Sequence, residues 1–380
     1  MKKIVFVIES LHLGGAEKSL VTLLQNLDYS QYEADLLTFQ KGGVFQDLVP
    51  KEVNHILIDL PELSFFDRII YLIKRKQNTK THSAQLFWPF IKKYLKKHSE
   101  RYDVAIAYNQ GFSTYFTAEF LVAKTKYAWL NTDYQKAGYR IALDYALYEK
   151  FNRIIVVSPE GKESFGNALR KIGKTLPLDI IKDITDRKTL EVQANQPLKT
   201  EFHADRVNVV SVGRLVPPKG FSLAVSACAI LKSKGYSINW YIIGEGAERN
   251  NLEQQIAKEN LKDQFFLLGA DANPYPYMKA CDIYVQTSFF EGLGLTVIEA
   301  SYLNKPIVCT NFPTAHDILV DEKTGLIAEM TAESIADQVE RLINNPDLRQ
   351  FLISNLLNQK NTDKEISLLQ IEELLLKSLI

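Results

Sequence analysis

The sequence lacks the features that mark several large classes of protein. It has three cysteines, Cys228, Cys281 and Cys309, with no C-x-x-C spacing, so neither a disulfide framework nor a cysteine metal site is supported. No run approaches the ~18 consecutive apolar residues that a membrane-spanning helix needs. The apolar run near the start ends at Glu9, which is too early for a signal peptide. We therefore expect a protein of the reducing cytoplasm.

Patterns for bound metals and for nicotinamide cofactors are also missing. The six histidines form no H-x-H or H-E-x-x-H pair, and there is no D-x-D, so we expect no metal in catalysis. Neither G-G-A-E-K-S nor G-E-G-A-E-R completes G-x-G-x-x-G, so no cofactor is expected. With 46% hydrophobic and 24% charged residues, the composition is that of a chain folded throughout.

What the chain does contain is a series of short apolar runs alternating with amphipathic helical stretches. This pattern is typical of α/β domains in which helices cover a parallel sheet. The predicted strands are 4–8, 34–39, 55–60, 104–108, 127–130 and 154–157, then 207–212, 240–243, 265–268, 283–286 and 307–310.

The 380 residues suffice for two such domains. We predict an N-terminal Rossmann-like domain over 1–185, a polar linker over 186–202 and a C-terminal Rossmann-like domain over 203–362. The apolar positions of 363–380 predict an amphipathic helix that docks elsewhere, with the N-terminal domain as one candidate surface.

The stretch V-G-R-L-V-P-P-K-G carries two cations, Arg214 and Lys219, in a loop between a predicted strand and a helix. Cations beside a helix N-terminus suit clustered negative charge, because the free amides and the helix dipole add to the side-chain charges. A diphosphate fits this description. The alternative is a solvated loop without a ligand.

The stretch F-F-E-G-L-G-L-T-V-I-E-A carries two carboxylates, Glu291 and Glu299, around two glycines that leave backbone amides uncovered. Such amides suit a phosphate, whereas a carboxylate beside a phosphate is repelled unless it faces hydroxyl groups. We therefore expect both carboxylates to face a sugar-like group. For Glu299 alone, a capping box with Thr296 is the alternative.

Together, G-R-x-x-x-x-K-G and E-G-L-G-L-T-V-I-E-A resemble glycosyltransferase family 4, the retaining, nucleotide-sugar-dependent enzymes of the GT-B fold. The likeness extends from G-G-A-E-K-S-L near the start through V-S-P, G-E-G and N-P-Y-P-Y to T-G-L-I. It implies an α/β, GT-B architecture of two Rossmann-like domains whose parallel sheets face each other across a cleft. The N-terminal domain would bind the acceptor and the C-terminal domain the nucleotide-sugar donor.

The resemblance also implies roles for single residues. Arg214 and Lys219 would hold the donor diphosphate and Glu291 would contact the transferred sugar, so these three are the candidate catalytic residues. Glu299 would bind the ribose. The remaining predicted donor-binding residues are Gly14, Gly15, Gly213, Leu268, Gly292, Leu293, Gly294, Leu295 and Thr296. Gly14 and Gly15 equally fit a tight turn between strand and helix.

One departure from the family concerns the segment Y-A-W-L-N-T-D-Y. Many members have a histidine where this chain has Asn131. An asparagine can hydrogen-bond a sugar hydroxyl but cannot exchange a proton near neutral pH. Asn131 and Asp133 are the predicted acceptor-binding residues, and for Asp133 a surface carboxylate is the alternative.

Residues 61–97 carry nine Lys and Arg against two acids, interleaved with aromatic residues. This combination suits an anionic lipid surface, here the inner face of the membrane. The alternative is that the aromatic residues are core and the lysines a solvated face. Nucleic acid is not an expected partner.

These observations predict a retaining, metal-independent hexosyltransferase, cytoplasmic or peripheral on the membrane. The expected donor is a nucleotide sugar linked to UDP. The expected acceptor is a lipid-linked or other glycan in capsular, cell-wall or exopolysaccharide assembly. Two alternatives stay open: a non-catalytic nucleotide-binding partner of another glycosyltransferase, and a GT-B nucleotide-sugar epimerase.

Overall fold

The computed structural model describes residues 1–12, 14–359 and 362–377. The end of the predicted C-terminal helix, 378–380, lies outside the described residues. The chain forms two compact units, one from residues 1–184 together with the final helix, and one from residues 185–362.

The first unit is a seven-stranded sheet in the order β3-β2-β1-β4-β5-β6-β7, with every pairing parallel. Strands β1 to β7 are Lys2–Val7, Tyr32–Thr38, Val53–Leu57, Arg101–Ala107, Val122–Leu130, Arg153–Val156 and Leu178–Ile180. Helices α1 to α6 are Gly15–Leu24, Phe65–Gln77, Ser83–Ile91, Phe112–Phe120, Ile141–Tyr148 and Pro159–Lys171.

The second unit is a six-stranded parallel sheet in the order β10-β9-β8-β11-β12-β13. Strands β8 to β13 are Val207–Val212, Ile238–Ile243, Phe265–Gly269, Ile283–Gln286, Ile307–Thr310 and Leu326–Ala328. Helices α7 to α14 are Arg187–Ala194, Phe221–Ser233, Arg249–Lys258, Tyr275–Ala280, Leu295–Tyr302, Ala315–Ile318, Ala332–Asn344 and Pro346–Leu357, and α15, in the first unit, is Asp363–Lys377.

Both sheets are buried on their two faces, which explains the continuous apolar runs of the central strands. In β1 the four residues from Ile4 to Val7 have no exposed surface, and all of β9 is buried. In each sheet the strand order reverses beside the first strand, so β1 lies next to β4 and β8 next to β11. Ligands bind at such switch points, beyond the carboxyl ends of the strands.

Every predicted strand overlaps an observed one, and two short edge strands, β7 and β13, were not predicted. The structure also differs over the predicted linker 186–202, which contains α7. The Asp186 side chain caps this helix, and Leu190 and Ala194 are buried in the core of the second unit.

The final helix, α15, packs against the first unit. The backbone carbonyl of Leu374 accepts a hydrogen bond from the Tyr127 hydroxyl at 3.0 Å, and that of Leu375 accepts one from Lys2 Nζ at 2.6 Å. Asp363 pairs with Lys182 at 3.1 Å. The helix is therefore an added element of the N-terminal α/β unit.

Candidate functional site

The loops that follow β8 and β11 bring a cation and a carboxylate together. Lys219 Nζ donates to both carboxylate oxygens of Glu291, at 2.7 Å each. The side chains are 19% and 10% exposed, so the pair is partly shielded from water and weakly screened. The two residues are 72 positions apart in sequence and meet because β8 and β11 are neighbours at the switch point.

Neutral donors from the end of β11 orient the Glu291 carboxylate. Glu291 Oε1 accepts from the Ser288 hydroxyl at 2.5 Å and from Gln286 Nε2 at 3.1 Å. Gln286 is itself buried, and its Oε1 accepts from the hydroxyls of Tyr284 and Thr296, at 2.8 and 3.1 Å. The network fixes the amide orientation of Gln286 and thereby the position of Glu291.

The backbones of the two loops are joined closely, and Gly220 permits this approach. The amide of Phe289 donates to the Pro218 carbonyl at 2.8 Å, and the Thr287 hydroxyl donates to the Lys219 carbonyl at 3.0 Å. Gly220 has φ +62°, and a Cβ there would lie 2.1 Å from the Thr287 carbonyl oxygen. A side chain at this position would separate the loops.

The N-terminus of α11 is free of a side-chain cap. Its N-cap residue is Gly294, with φ +79° and no side-chain cap hydrogen bond. The capping box proposed for Thr296 and Glu299 is therefore wrong, because Thr296 lies inside the helix and its hydroxyl bonds Gln286 instead. Helix amides without a cap are available to an anion. Leu293 is buried and Leu295 opens the helix, while Gly292 lies between them and Glu291.

Glu299 lies within the second unit and is only 1% exposed. Its Oε1 accepts from the Tyr275 hydroxyl at 3.2 Å. Burial raises the pKa of Tyr284, and the charges of Glu299 and Glu291 both add to this rise. The two carboxylates thus act on one buried hydroxyl, while a role for Glu299 toward a ribose stays a prediction.

The remaining predicted donor-binding residues occupy varied settings. Arg214 is exposed, and within the described residues its side chain has no hydrogen bond or ion pair. Gly213 directly follows β8 and lies beside the Lys219 side chain. Leu268, in β10, packs against the hydrophobic core of the second unit. In the first unit, Gly14 is the N-cap of α1 in an extended conformation and Gly15 begins that helix. Their binding roles stay predictions.

Asn131 belongs to a buried polar cluster of the first unit. Its Nδ2 donates to Asp183 Oδ1 at 3.4 Å, and the Ser19 hydroxyl donates to the same oxygen at 2.6 Å. Burial raises the pKa of Asp183 to about 6, opposed by these two hydrogen bonds. Asp133 instead secures its own loop, because its Oδ1 accepts from the Ser164 hydroxyl at 2.8 Å and from two backbone amides.

The basic, aromatic segment 61–97 divides between two environments. In α3, Trp88, Phe90 and Ile91 are buried, so these residues are core, as the alternative interpretation held. In α2 no residue is buried, and Phe65 and Phe66 are 73% and 76% exposed. Of the two helices, α2 is therefore the one with strongly exposed phenylalanine rings.

Sequence reasoning missed Gln286, Ser288, Thr287 and Asp183. For the first three, the run Q-T-S, which starts at the last residue of the buried strand β11, was the available signal, since polar residues at a strand's carboxyl end are candidates for a site. Among the described residues, no group of three or more His, Cys, Asp or Glu side chains could hold a metal ion. Metal independence of any activity stays a prediction.

Comparison with known proteins shows which proteins the chain resembles. Residues 192–359 match the family model for glycosyl transferases group 1. The chain is 28% identical to an uncharacterized glycosyltransferase of Methanocaldococcus jannaschii over 244 residues, which are 60% of this chain and 56% of that protein. It is 33% identical over 144 residues to the N-acetylgalactosamine-N,N'-diacetylbacillosaminyl-diphospho-undecaprenol 4-alpha-N-acetylgalactosaminyltransferase of Campylobacter jejuni, covering 37% and 39%. The chain thus aligns with between two-fifths and just over half of these relatives.

Among solved structures, HepE of Anabaena in complex with UDP and glucose matches 99% of both chains, with a TM-score of 0.75 at 18% identity. The fold is therefore the GT-B fold of two α/β units. The part of the chain that is similar to the glycosyl transferases group 1 is residues 192–359, which lie within the second unit. None of the helices in the described part of the chain is both long and apolar enough to cross a membrane.

Proposed function

We propose that the protein is a retaining, metal-independent glycosyltransferase that moves a hexose from a UDP-linked sugar to a hydroxyl of a lipid-linked glycan. The observation that carries this proposal is the Lys219–Glu291 pair at the carboxyl ends of adjacent strands, within a group 1 domain. UDP in the HepE structure and diphospho-undecaprenol in the name of the Campylobacter relative support the donor and acceptor classes.

Lys219 supplies positive charge to the leaving diphosphate. Its ammonium group has three hydrogens, of which two bond Glu291 and one is left for a phosphate oxygen. As the bond from the anomeric carbon to the diphosphate oxygen breaks, negative charge grows on the diphosphate. Lys219, Arg214 and the first amides of α11 stabilise that charge more strongly than in the ground state.

Glu291 orients the transferred sugar. Its Oε1 already accepts three hydrogen bonds, whereas Oε2, within the described residues, accepts only from Lys219. A sugar hydroxyl can therefore donate to Oε2. The acceptor oxygen attacks on the face that the diphosphate leaves, and its proton passes to a phosphate oxygen. This route requires no protein nucleophile and no proton exchange at Asn131.

The test is to incubate the purified protein with UDP, GDP and TDP sugars, with and without polyprenyl-linked glycan acceptors. Nucleotide release that depends on acceptor and persists in EDTA supports the proposal. Nucleotide binding without turnover indicates a partner subunit, and sugar interconversion without acceptor indicates an epimerase. If no nucleoside diphosphate binds, the proposal is wrong.

A lipid-linked acceptor would lie in an anionic membrane, so the proposal includes a membrane contact. We propose α2 as the surface that makes this contact. Asp67 and Tyr71 bind this helix to the rest of the unit, through Lys93 Nζ at 3.2 Å and the Phe87 ring at 5.0 Å. The opposite face bears exposed Phe65 and five further exposed apolar or aromatic side chains. Four basic residues of α2 flank that face, which suits a bilayer interface.

Vesicle sedimentation tests the contact. We expect binding to phosphatidylglycerol vesicles, with little binding to phosphatidylcholine, and a large loss in the double variant Phe65→Ser, Phe66→Ser. The matched control is Phe351→Ser, which alters a phenylalanine of the second unit that is 52% exposed. Equal binding of the double variant and wild type would exclude α2 as the contact.

A further inference from the structure

A cavity lies in the first unit and is lined by residues of that unit. It has a volume of about 300 Å³, and Glu9, Phe39, Tyr71, Phe87 and Phe112 are among the residues that line it. Glu9 and Phe39 follow β1 and β2, and Phe112 begins the helix after β4. The cavity therefore lies beyond the carboxyl ends of parallel strands, where α/β units bind ligands.

One wall of this cavity is a continuous group of aromatic rings. The ring centroids of Tyr71 and Phe87 are 5.0 Å apart, those of Phe87 and Phe112 are 5.7 Å apart, and those of Phe112 and Phe39 are 6.2 Å apart. Phe39 is buried and the other three are partly exposed. Flat rings of this kind pack against the C–H face of a sugar ring and bury apolar area at low cost in conformational entropy.

A carboxylate faces the same space. Glu9 Oε1 accepts the Phe112 backbone amide at 3.2 Å, and within the described residues no cation pairs with Glu9. Burial raises the pKa of Glu9, and the Phe112 amide opposes this rise. A mostly buried carboxylate without a cation gains from hydroxyl groups that donate to it.

We propose that this cavity holds the terminal sugar of the acceptor, with Glu9 accepting hydrogen bonds from its hydroxyls and the aromatic wall covering its C–H face. The inference rests on the proposed function and adds the acceptor residues to it. Its volume is at the small end of the roughly 300–1,000 Å³ range of ligand pockets, so one or two sugar rings fit. Because α2 contributes Tyr71 to the wall and exposes Phe65 and Phe66 outward, the sugar comes from a glycolipid.

The test uses octyl glycosides of glucose, galactose and N-acetylglucosamine below their critical micelle concentrations, with octyl tetraethylene glycol as the sugar-free probe. Binding is followed by saturation-transfer NMR and titration. Glu9→Gln keeps an acceptor for the Phe112 amide and removes the charge. Gln40→Trp fills the cavity from an exposed position on its rim. Glu52→Gln, at an exposed site of the same unit, is the matched control.

We expect at least one octyl glycoside to bind wild type and Glu52→Gln equally. Binding should weaken about ten-fold or more in Glu9→Gln, since a charged acceptor is lost, and should vanish in Gln40→Trp. Equal binding of the sugar-free probe, an unchanged affinity in Glu9→Gln, or no glycoside binding to wild type would each overturn the inference. UDP titration in parallel tests the proposed function separately, since absence of UDP binding to wild type would count against that function alone.

Discussion

Replacing Lys219 with methionine removes the cation of the candidate site and retains an unbranched side chain of similar length. In the proposed reaction this change leaves the diphosphate without its nearest charged stabiliser. Loss of one preorganised charge stabiliser costs about 10² or more in rate, which is about 2.7 kcal/mol of transition-state stabilisation. We therefore expect the turnover number for sugar transfer to fall about 100-fold or more.

The same change should also lower the free energy of unfolding, and the burial of the pair sets the expected range. Fully exposed pairs contribute about 0–1 kcal/mol, whereas removing one partner of a buried pair costs about 3–5 kcal/mol. The Lys219–Glu291 pair is 19% and 10% exposed, and Glu291 keeps the donors Ser288 and Gln286. We expect a loss of about 1–3 kcal/mol in the free energy of unfolding, measured by urea titration.

A double-variant cycle separates the two effects. In Lys219→Met with Glu291→Gln the unpaired charge is gone, so stability should recover while transfer stays low. Lys199→Met is the control, because Lys199 pairs with Asp271 at the surface and is 72% exposed. Transfer within three-fold of wild type in Lys219→Met, roughly 0.65 kcal/mol, or recovery of transfer in the double variant, would refute the reasoning.

Three further predictions follow from the described contacts. Gly220→Ala should lower the free energy of unfolding more than Gly235→Ala in urea titrations. Both glycines have positive φ, but only at Gly220 would a Cβ lie against a backbone carbonyl. Equal losses would show that the strain of positive φ, about 1–2 kcal/mol, is the whole effect. Ser288→Ala removes the 2.5 Å donor to the candidate carboxylate and should lower transfer about ten-fold or more, whereas Ser301→Ala, which loses only a bond within its helix, should not. Burial raises the pKa of Asp144 to about 6, above its unfolded value. The free energy of unfolding should therefore fall by up to about 3 kcal/mol as pH rises from 4 to 7. Asp144→Asn should flatten this slope, and an unchanged slope in urea titrations at several pH values would contradict the assignment.

The sequence predicted the strands well because central parallel strands are buried on both faces and read as apolar runs. It also predicted which loops carry charge. It did not predict β7 and β13, since each has three residues at a sheet edge and gives too little pattern to recognise. Helix α7 was missed because its buried residues, Leu190 and Ala194, are few and its mean composition is polar.

The sequence predicted Lys219 and Glu291 separately, but their contact depends on strand order, which no local pattern encodes. Because β8 and β11 are adjacent, the loops that follow them leave the sheet side by side, and the side chains of each loop contact those of the other. Gln286 could not be recognised as an orienting residue because its four hydrogen-bond partners come from three segments. The capping box failed because α11 begins one residue before Thr296, with Gly294 as its N-cap, and the Thr296 hydroxyl donates to Gln286 instead.

Asn131 shows how the structure changes the meaning of a departure from a family pattern. As a sequence difference, it suggests a missing acid or base. In the folded first unit its Nδ2 is directed at Asp183, whose other donor is Ser19, so the network fixes which side of the amide donates. Its Oδ1 is buried and, within the described residues, accepts no hydrogen bond. The position is therefore built to accept a hydrogen bond, and a histidine there would place a second titrating group beside Asp183.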